Sequence, residues 1–138
     1  MSCVRTYCGL CIYSSTLAPE EISQRLGITP TRTAALDPKS KYKHCREQHF
    51  WLLSTQDQLD STDHIDHLHE IFSQLKGKAT VLDSLRNDGC TTRVSCYWDS
   101  DGQGGPWLDL PEIKKLAEFG LDIWWDIYFV QGDDTNDA

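Results

Sequence analysis

The sequence predicts an α+β fold. Its sheet is mainly antiparallel with four to five strands, built as ferredoxin-like strand–helix–strand halves with a long helix inserted between them. Three observations carry this expectation. Apolar and polar residues alternate with period two in segments near the start, the middle and the end of the chain. Apolar residues recur every three to four positions from Ile65 to Leu85. Finally, the chain echoes itself. Leu17-Ala18-Pro19-Glu20-Glu21-Ile22, followed by Leu26-Gly27-Ile28, resembles Leu110-Pro111-Glu112-Ile113, followed by Phe119-Gly120-Leu121. Each copy reads as a strand, a short helix opened by Pro and Glu, a Gly stop and an extended segment.

The elements follow in order. A first strand covers about 5–13, with Cys8, Leu10 and Ile12 on one face and Tyr7, Gly9, Cys11 and Tyr13 on the other. A helix at 19–26 ends at Gly27. Ile28 to Arg32 is extended and leads into a polar loop to about residue 48. A second strand at 49–54 carries Phe50, Trp51, Leu52 and Leu53. Asp60-Ser61-Thr62 supplies capping groups for the long helix, which Gly77 can kink or split and Asn87-Asp88-Gly89 ends. A third strand at 91–99 alternates Val94, Cys96 and Trp98 with Arg93, Ser95, Tyr97 and Asp99. The run from Asp99 to Gly105 is a loop by composition. A last helix at 111–119 precedes a last strand at 121–130. The 138 residues suit one domain over residues 1–131, and the acidic stretch 132–138 reads as a disordered tail.

Charge narrows the function classes. The formal net charge is −8, but residues 1–50 sum to +3 and residues 51–138 to −11. Such a surface repels nucleic-acid backbones and anionic membranes and suits a basic protein partner. No stretch reaches the roughly 20 apolar residues of a membrane helix. The first residues also lack the apolar segment and cleavage site of a signal peptide, so a cytoplasmic protein with reduced thiols is expected.

Six cysteines and five histidines raise the question of metals. Cys3, Cys8 and Cys11 have the C-x4-C-x2-C spacing found in plant-type iron–sulfur proteins, with Cys45 or Cys90 as a fourth ligand. A strand would place Cys8 and Cys11 on opposite faces, so buried free thiols are expected and no cofactor. His64, His67 and His69 do not converge on a helix, and a polar helix face is expected from them. The sequence has no nucleophile elbow, phosphate loop or dinucleotide fingerprint.

The last strand is the most suggestive. Leu121, Ile123, Trp125, Ile127 and Phe129 form one apolar face, expected to be core. Asp122, Trp124, Asp126 and Tyr128 form the other, which Tyr7, Tyr13, Arg93 and Tyr97 would join across the sheet. Either the long helix covers this face, with Asp126 paired to Arg93 or Tyr97, or the face is open and binds. Aromatics on such a sheet also occur in RNA-recognition domains. The basic aromatic signature of those domains is absent, and the acidic charge opposes phosphate binding.

Several of these motifs resemble a known family. They are L-x-P-E-E-I-x-x-x-L-G-I-x-P-T-R from Leu17 to Arg32, the strand Phe50 to Ser54, a long helix with His67-Leu68, and D-I-x-x-D-I-Y from Asp122 to Tyr128. Together they are similar to the bacterial domain of unknown function 4279, over about residues 5–130. The resemblance implies no activity or cofactor. It implies a role of the immunity-protein kind, inhibiting a toxin. The expected function is therefore a non-enzymatic cytoplasmic protein-binding protein with a basic partner. Its binding residues would be Trp124, Asp126, Tyr128, Trp98, Tyr97 and Arg93. The alternative is a small-ligand or anion-binding module that sets the basic loop, Lys39, Lys41, Lys43 and Arg46, against the aromatic sheet face.

Overall fold

A computed structural model describes residues 3–129. The expected tail at 132–138 lies outside them. The elements are β1 (Cys3–Ser14), α1 (Pro19–Leu26), β2 (Arg32–Ala34), α2 (Lys43–Glu47), β3 (His49–Ser54), α3 (His64–Gln74), α4 (Ala79–Asn87), β4 (Thr91–Ser100), α5 (Leu110–Phe119) and β5 (Asp122–Phe129). They make an α+β fold whose five-stranded sheet has the order β2-β3-β1-β4-β5. All neighbours are antiparallel except β4 and β5, which are parallel.

Local chemistry sets the helix ends. Pro19 begins α1, Glu20 and Glu21 lie in its positive first turn, and Arg25 lies in its last. Gly27 closes it in the left-handed conformation, donating its N–H to Ser23 O at 2.8 Å. α5 repeats the plan with Pro111, Glu112 and Gly120. The echo in the sequence is therefore an echo in structure, although the halves pair differently. β1 and β3 are antiparallel neighbours, whereas β4-α5-β5 is a parallel crossover.

The long helix is two helices. α3 ends at Gln74, the left-handed Gly77 turns the chain, and α4 starts at Ala79. Asp63 caps α3, its Oδ1 accepting from Ile65 N at 3.0 Å. The loop expected to run to residue 48 contains the single-turn helix α2 and the short edge strand β2.

The helices α1, α3, α4 and α5 form one layer on one face of the sheet. Leu10, Ile12, Trp51, Val94 and Cys96 meet Ile22, Leu26, Leu68, Ile71, Leu82, Leu85, Leu116 and Phe119 there. Each such fully buried Leu, Ile or Phe contributes about 1.5–3 kcal/mol.

Three sequence expectations change here. Trp98 is only 2% exposed and points to the helix side, so it cannot anchor a partner. It alternates with Tyr97 along β4, and the two faces of a strand cannot share one surface. In β5, Leu121 is buried and Ile123 and Trp125 pack on the core, but Ile127 and Phe129 are 42% and 68% exposed. β5 is an edge strand, and in these rows its neighbours Trp98 and Ser100 on β4 are buried, so the cover there stops at β4. Finally, His64 and His67 are buried, not part of a polar face. His64 Nε2 lies 2.6 Å from Trp107 O and 3.2 Å from Trp107 N. His67 Nε2 donates to Ser61 O at 2.8 Å, and its Nδ1 lies 2.6 Å from Thr55 Oγ1. These bonds pin the loops before α3 and α5 to the helix, which satisfies the buried ring nitrogens.

Candidate functional site

Apart from the single-turn α2, whose His44 and Cys45 lie beside Tyr13, Arg32, Ala34 and Phe50, the second face of the sheet carries no helix among the described residues. Strand register assembles it in rows. Gly9 faces Ser54 and Ser95, and Ser95 faces Trp124. Cys11 lies between Leu52 and Arg93, and Tyr7, Tyr97 and Asp126 form the next row. Tyr13 pairs with Phe50.

Aromatic and guanidinium groups organise both ends of this face. At one end, Arg93 sits between two rings, 4.7 Å from the Tyr13 centroid and 3.8 Å from that of Trp124. Tyr13 in turn packs on Phe50 at 5.2 Å, and Arg32 lies over Phe50 at 5.4 Å. At the other end, Tyr7 and Tyr97 stack with centroids 4.7 Å apart, and Tyr128 packs on Tyr97 at 5.2 Å. Arg5 lies over both rings of the stacked pair. A hydrogen bond with the Asp99 carboxylate, aided by desolvation, pushes the Tyr97 hydroxyl above its ordinary range. Desolvation does the same for Tyr7.

Between these ends lies a concavity of about 530 Å³. Gly9, Cys11 and Ser95 form its floor. Tyr7 and Tyr97 flank it on one side and Phe50 and Leu52 on the other, while Arg32 and Asp126 lie at its β2 and β5 ends. The absence of a side chain at Gly9 keeps the floor low. A Cβ there would stand 2.7 Å from Leu52 Cδ1.

The candidate residues distribute as follows. Trp124, Asp126, Tyr128, Tyr97 and Arg93 share the open face, and Trp98 does not. Trp124 and Tyr128 are 57% and 51% exposed. Asp126 is exposed and makes no hydrogen bond to Arg93 or Tyr97, the pairing expected of a covered face. Lys39, Lys41, Lys43 and Arg46 are all exposed on the loop and α2. None of the four lines the concavity. Arg46 Nη1 donates to Ser40 O at 3.0 Å, and Lys41 lies over Tyr42.

Arg5, Arg32, Phe50 and Leu52 belong to the face but were not legible as site residues. In β3 both alternating sets are apolar, so periodicity does not tell Phe50 and Leu52 from the core pair Trp51 and Leu53. β2 has three residues, too few for a strand signal, and it is what brings Arg32 onto the sheet.

The cysteines are free thiols. Cys8 sits on the core face opposite Cys96, while Cys11 sits on the open face. A hydrogen bond with Cys96 and then desolvation push the Cys8 thiol well up, and desolvation raises Cys3, Cys11 and Cys90. Among the described residues no group of three or more His, Cys, Asp or Glu could hold a metal ion. No helix among them is long and apolar enough to cross a membrane.

No curated protein and no solved structure gives a match. One family does, and it is the one that the Pro-Glu helix starts, the Trp-bearing strand and the closing D-I-x-x-D-I-Y segment resemble. Matching over residues 4–130, the chain belongs to the family described as domain of unknown function (DUF4279).

Proposed function

We propose that this chain is a non-enzymatic, cytoplasmic protein-binding protein that docks a basic polypeptide along β5. One observation carries the reading. The outermost strand has no neighbour on its outer side among the described residues, and it presents Trp124, Ile127, Tyr128 and Phe129 exposed. An open edge with large apolar groups is a template for an added strand and a source of anchor residues. Asp122 and Asp126 are the only charges on that strand, so a basic partner strand complements it. Inhibition of a toxin by an immunity-type pairing is one instance of such docking.

Affinity capture with variants tests the reading. Trp124→Ala with Tyr128→Ala should lower capture of the same partner at least about tenfold. Ile127→Pro, which removes a backbone N–H from the middle of β5 and disfavours strand pairing, should do likewise. Lys41→Ala should leave capture unchanged. A partner held equally well by all of these proteins refutes docking on β5.

A further inference from the structure

We propose that the concavity on the open sheet face binds a small flat ligand with an anionic group at one end and a hydrogen-bond donor at the other, held between Arg32 and Asp126. The proposal goes beyond docking on β5 and needs no protein partner.

The volume is the first support. About 530 Å³ lies within the range of roughly 300–1,000 Å³ typical of small-molecule sites. The polarity of the ends is the second. The chain has 21 acidic and 13 basic residues, yet Arg32 has no ion-pair partner among the described residues. It rests over the Phe50 ring instead. A guanidinium stacked in this way keeps its N–H edge for a carboxylate or phosphate, which it can grip with two parallel hydrogen bonds. Asp126 is likewise without an ion pair among the described residues, at the opposite end. It repels the anionic end of a ligand and accepts from a donor, so the two groups together orient the ligand.

The walls and floor supply the third support. The stacked pair Tyr7 and Tyr97 faces Phe50 and Leu52 across a floor that Gly9 leaves free of side chain. Such walls receive a planar body. The span sets its length. β2 to β5 is four strand spacings, about 19 Å between backbones, and the reach of Arg and Asp side chains leaves about 10 Å. That fits one flat ring system with one anionic substituent. A carboxylate and a phosphate meet the same chemistry at Arg32, and the probes separate them.

Isothermal titration of the full chain tests this with two probes. 4-Aminohippurate supplies the carboxylate and adenosine 5′-monophosphate the phosphate. Hippurate removes the donor and adenosine removes the anion. At least one full probe should bind, with its truncated counterpart at least about tenfold weaker. Arg32→Gln should lose about tenfold in affinity and Arg32→Lys less, because lysine keeps the charge but not the fork. Asp126→Asn should erase the preference for 4-aminohippurate over hippurate. Gly9→Ala should weaken binding by raising the floor. Arg32 and Asp126 are exposed, so those variants should keep the wild-type melting temperature and report on the site. No saturable binding of either probe up to about 5 mM overturns the proposal. So does binding that survives Arg32→Gln and is lost in a Lys41→Ala, Lys43→Ala double variant. Neither failure bears on the docking of a protein at β5.

Discussion

Replacing Gly120 by alanine should cost about 2–4 kcal/mol, roughly twice the cost of the same change at Gly27. Both glycines close a short helix, and both sit at φ +67°. An L-residue in that left-handed region costs about 1–2 kcal/mol at either site. The surroundings then separate them. At Gly27 the nearest atom to an added Cβ is Lys78 Nζ at 3.7 Å, an ordinary contact. At Gly120 the Cβ would lie 2.5 Å from Arg86 Nη2 and 2.8 Å from its Cζ. Arg86 must withdraw. Its Nη1 donates to Thr92 Oγ1 at 2.8 Å and its Nη2 pairs with Asp83 Oδ1 at 2.5 Å. Asp83 is well exposed, so that pair adds only a few tenths of a kcal/mol. Thr92 is buried, and losing a charge-assisted bond there costs about 1–2 kcal/mol.

Urea unfolding reads the difference as a shift of midpoint at constant slope. The cycle with Arg86→Ala is decisive. In that background the two glycine variants should cost the same, because the guanidinium that separates them is gone. Equal costs in the wild-type background refute the reasoning.

Other outcomes follow from buried polar groups. Trp51 Nε1 donates to Ser23 Oγ at 2.9 Å, while Trp98 Nε1 is buried with no partner among the described residues. Trp51→Phe should therefore destabilise the chain in thermal unfolding by about 1 kcal/mol more than Trp98→Phe, and the reverse order would contradict the geometry. Stability should fall above about pH 9. The raised thiols of Cys8 and Cys11 stay protonated in the folded chain while the unfolded thiols ionise from the ordinary 9.0, so the unfolded state binds fewer protons. Their contribution is full below that pH and is lost as pH rises through the folded values. Urea midpoints between about pH 8 and pH 10.5 check this, and Cys11→Ser should make the fall shallower. Brief native alkylation should modify the half-buried Cys45 before Cys8 or Cys96, read by peptide mass spectrometry. Equal rates would mean that the sheet opens readily.

What could be read in advance depended on where one residue pattern had one structural meaning. Pro19, Glu20 and Gly27, or Pro111, Glu112 and Gly120, are local instructions, and the helices they bound begin and end within a residue of the expected positions. Period-two alternation placed β1 and β4 and assigned Cys8 and Cys11 to opposite faces. The pattern failed where packing at a distance decides. Asp63-His64-Ile65-Asp66-His67 looks polar, yet Thr55, Ser61 and Trp107, all outside the helix, supply partners that let two histidines be buried. In β5 the alternation was right, but the cover that buries Trp98 and Ser100 on β4 stops short of this edge strand. Ile127 and Phe129 are therefore apolar on the core side and still exposed.

The sheet order accounts for the open aromatic face. β3, β4 and β5 are mutually parallel, since β3 and β4 are each antiparallel to β1 and β5 is parallel to β4. Two crossovers therefore link parallel strands, α3 with α4 from β3 to β4, and α5 from β4 to β5. Both step in the same direction across the order β3-β1-β4-β5. Crossovers of this kind are right-handed in nearly all proteins. Two right-handed crossovers stepping the same way place their helices on the same face. α1 joins that layer by packing on α4 and β3. Covering the other face would need one crossover to step backwards, as it would if β5 paired beyond β3. The position of one strand thus decides whether Tyr7, Tyr97, Trp124 and Asp126 are core or surface. That position is a matter of long-range pairing, and no periodicity within β5 carries it.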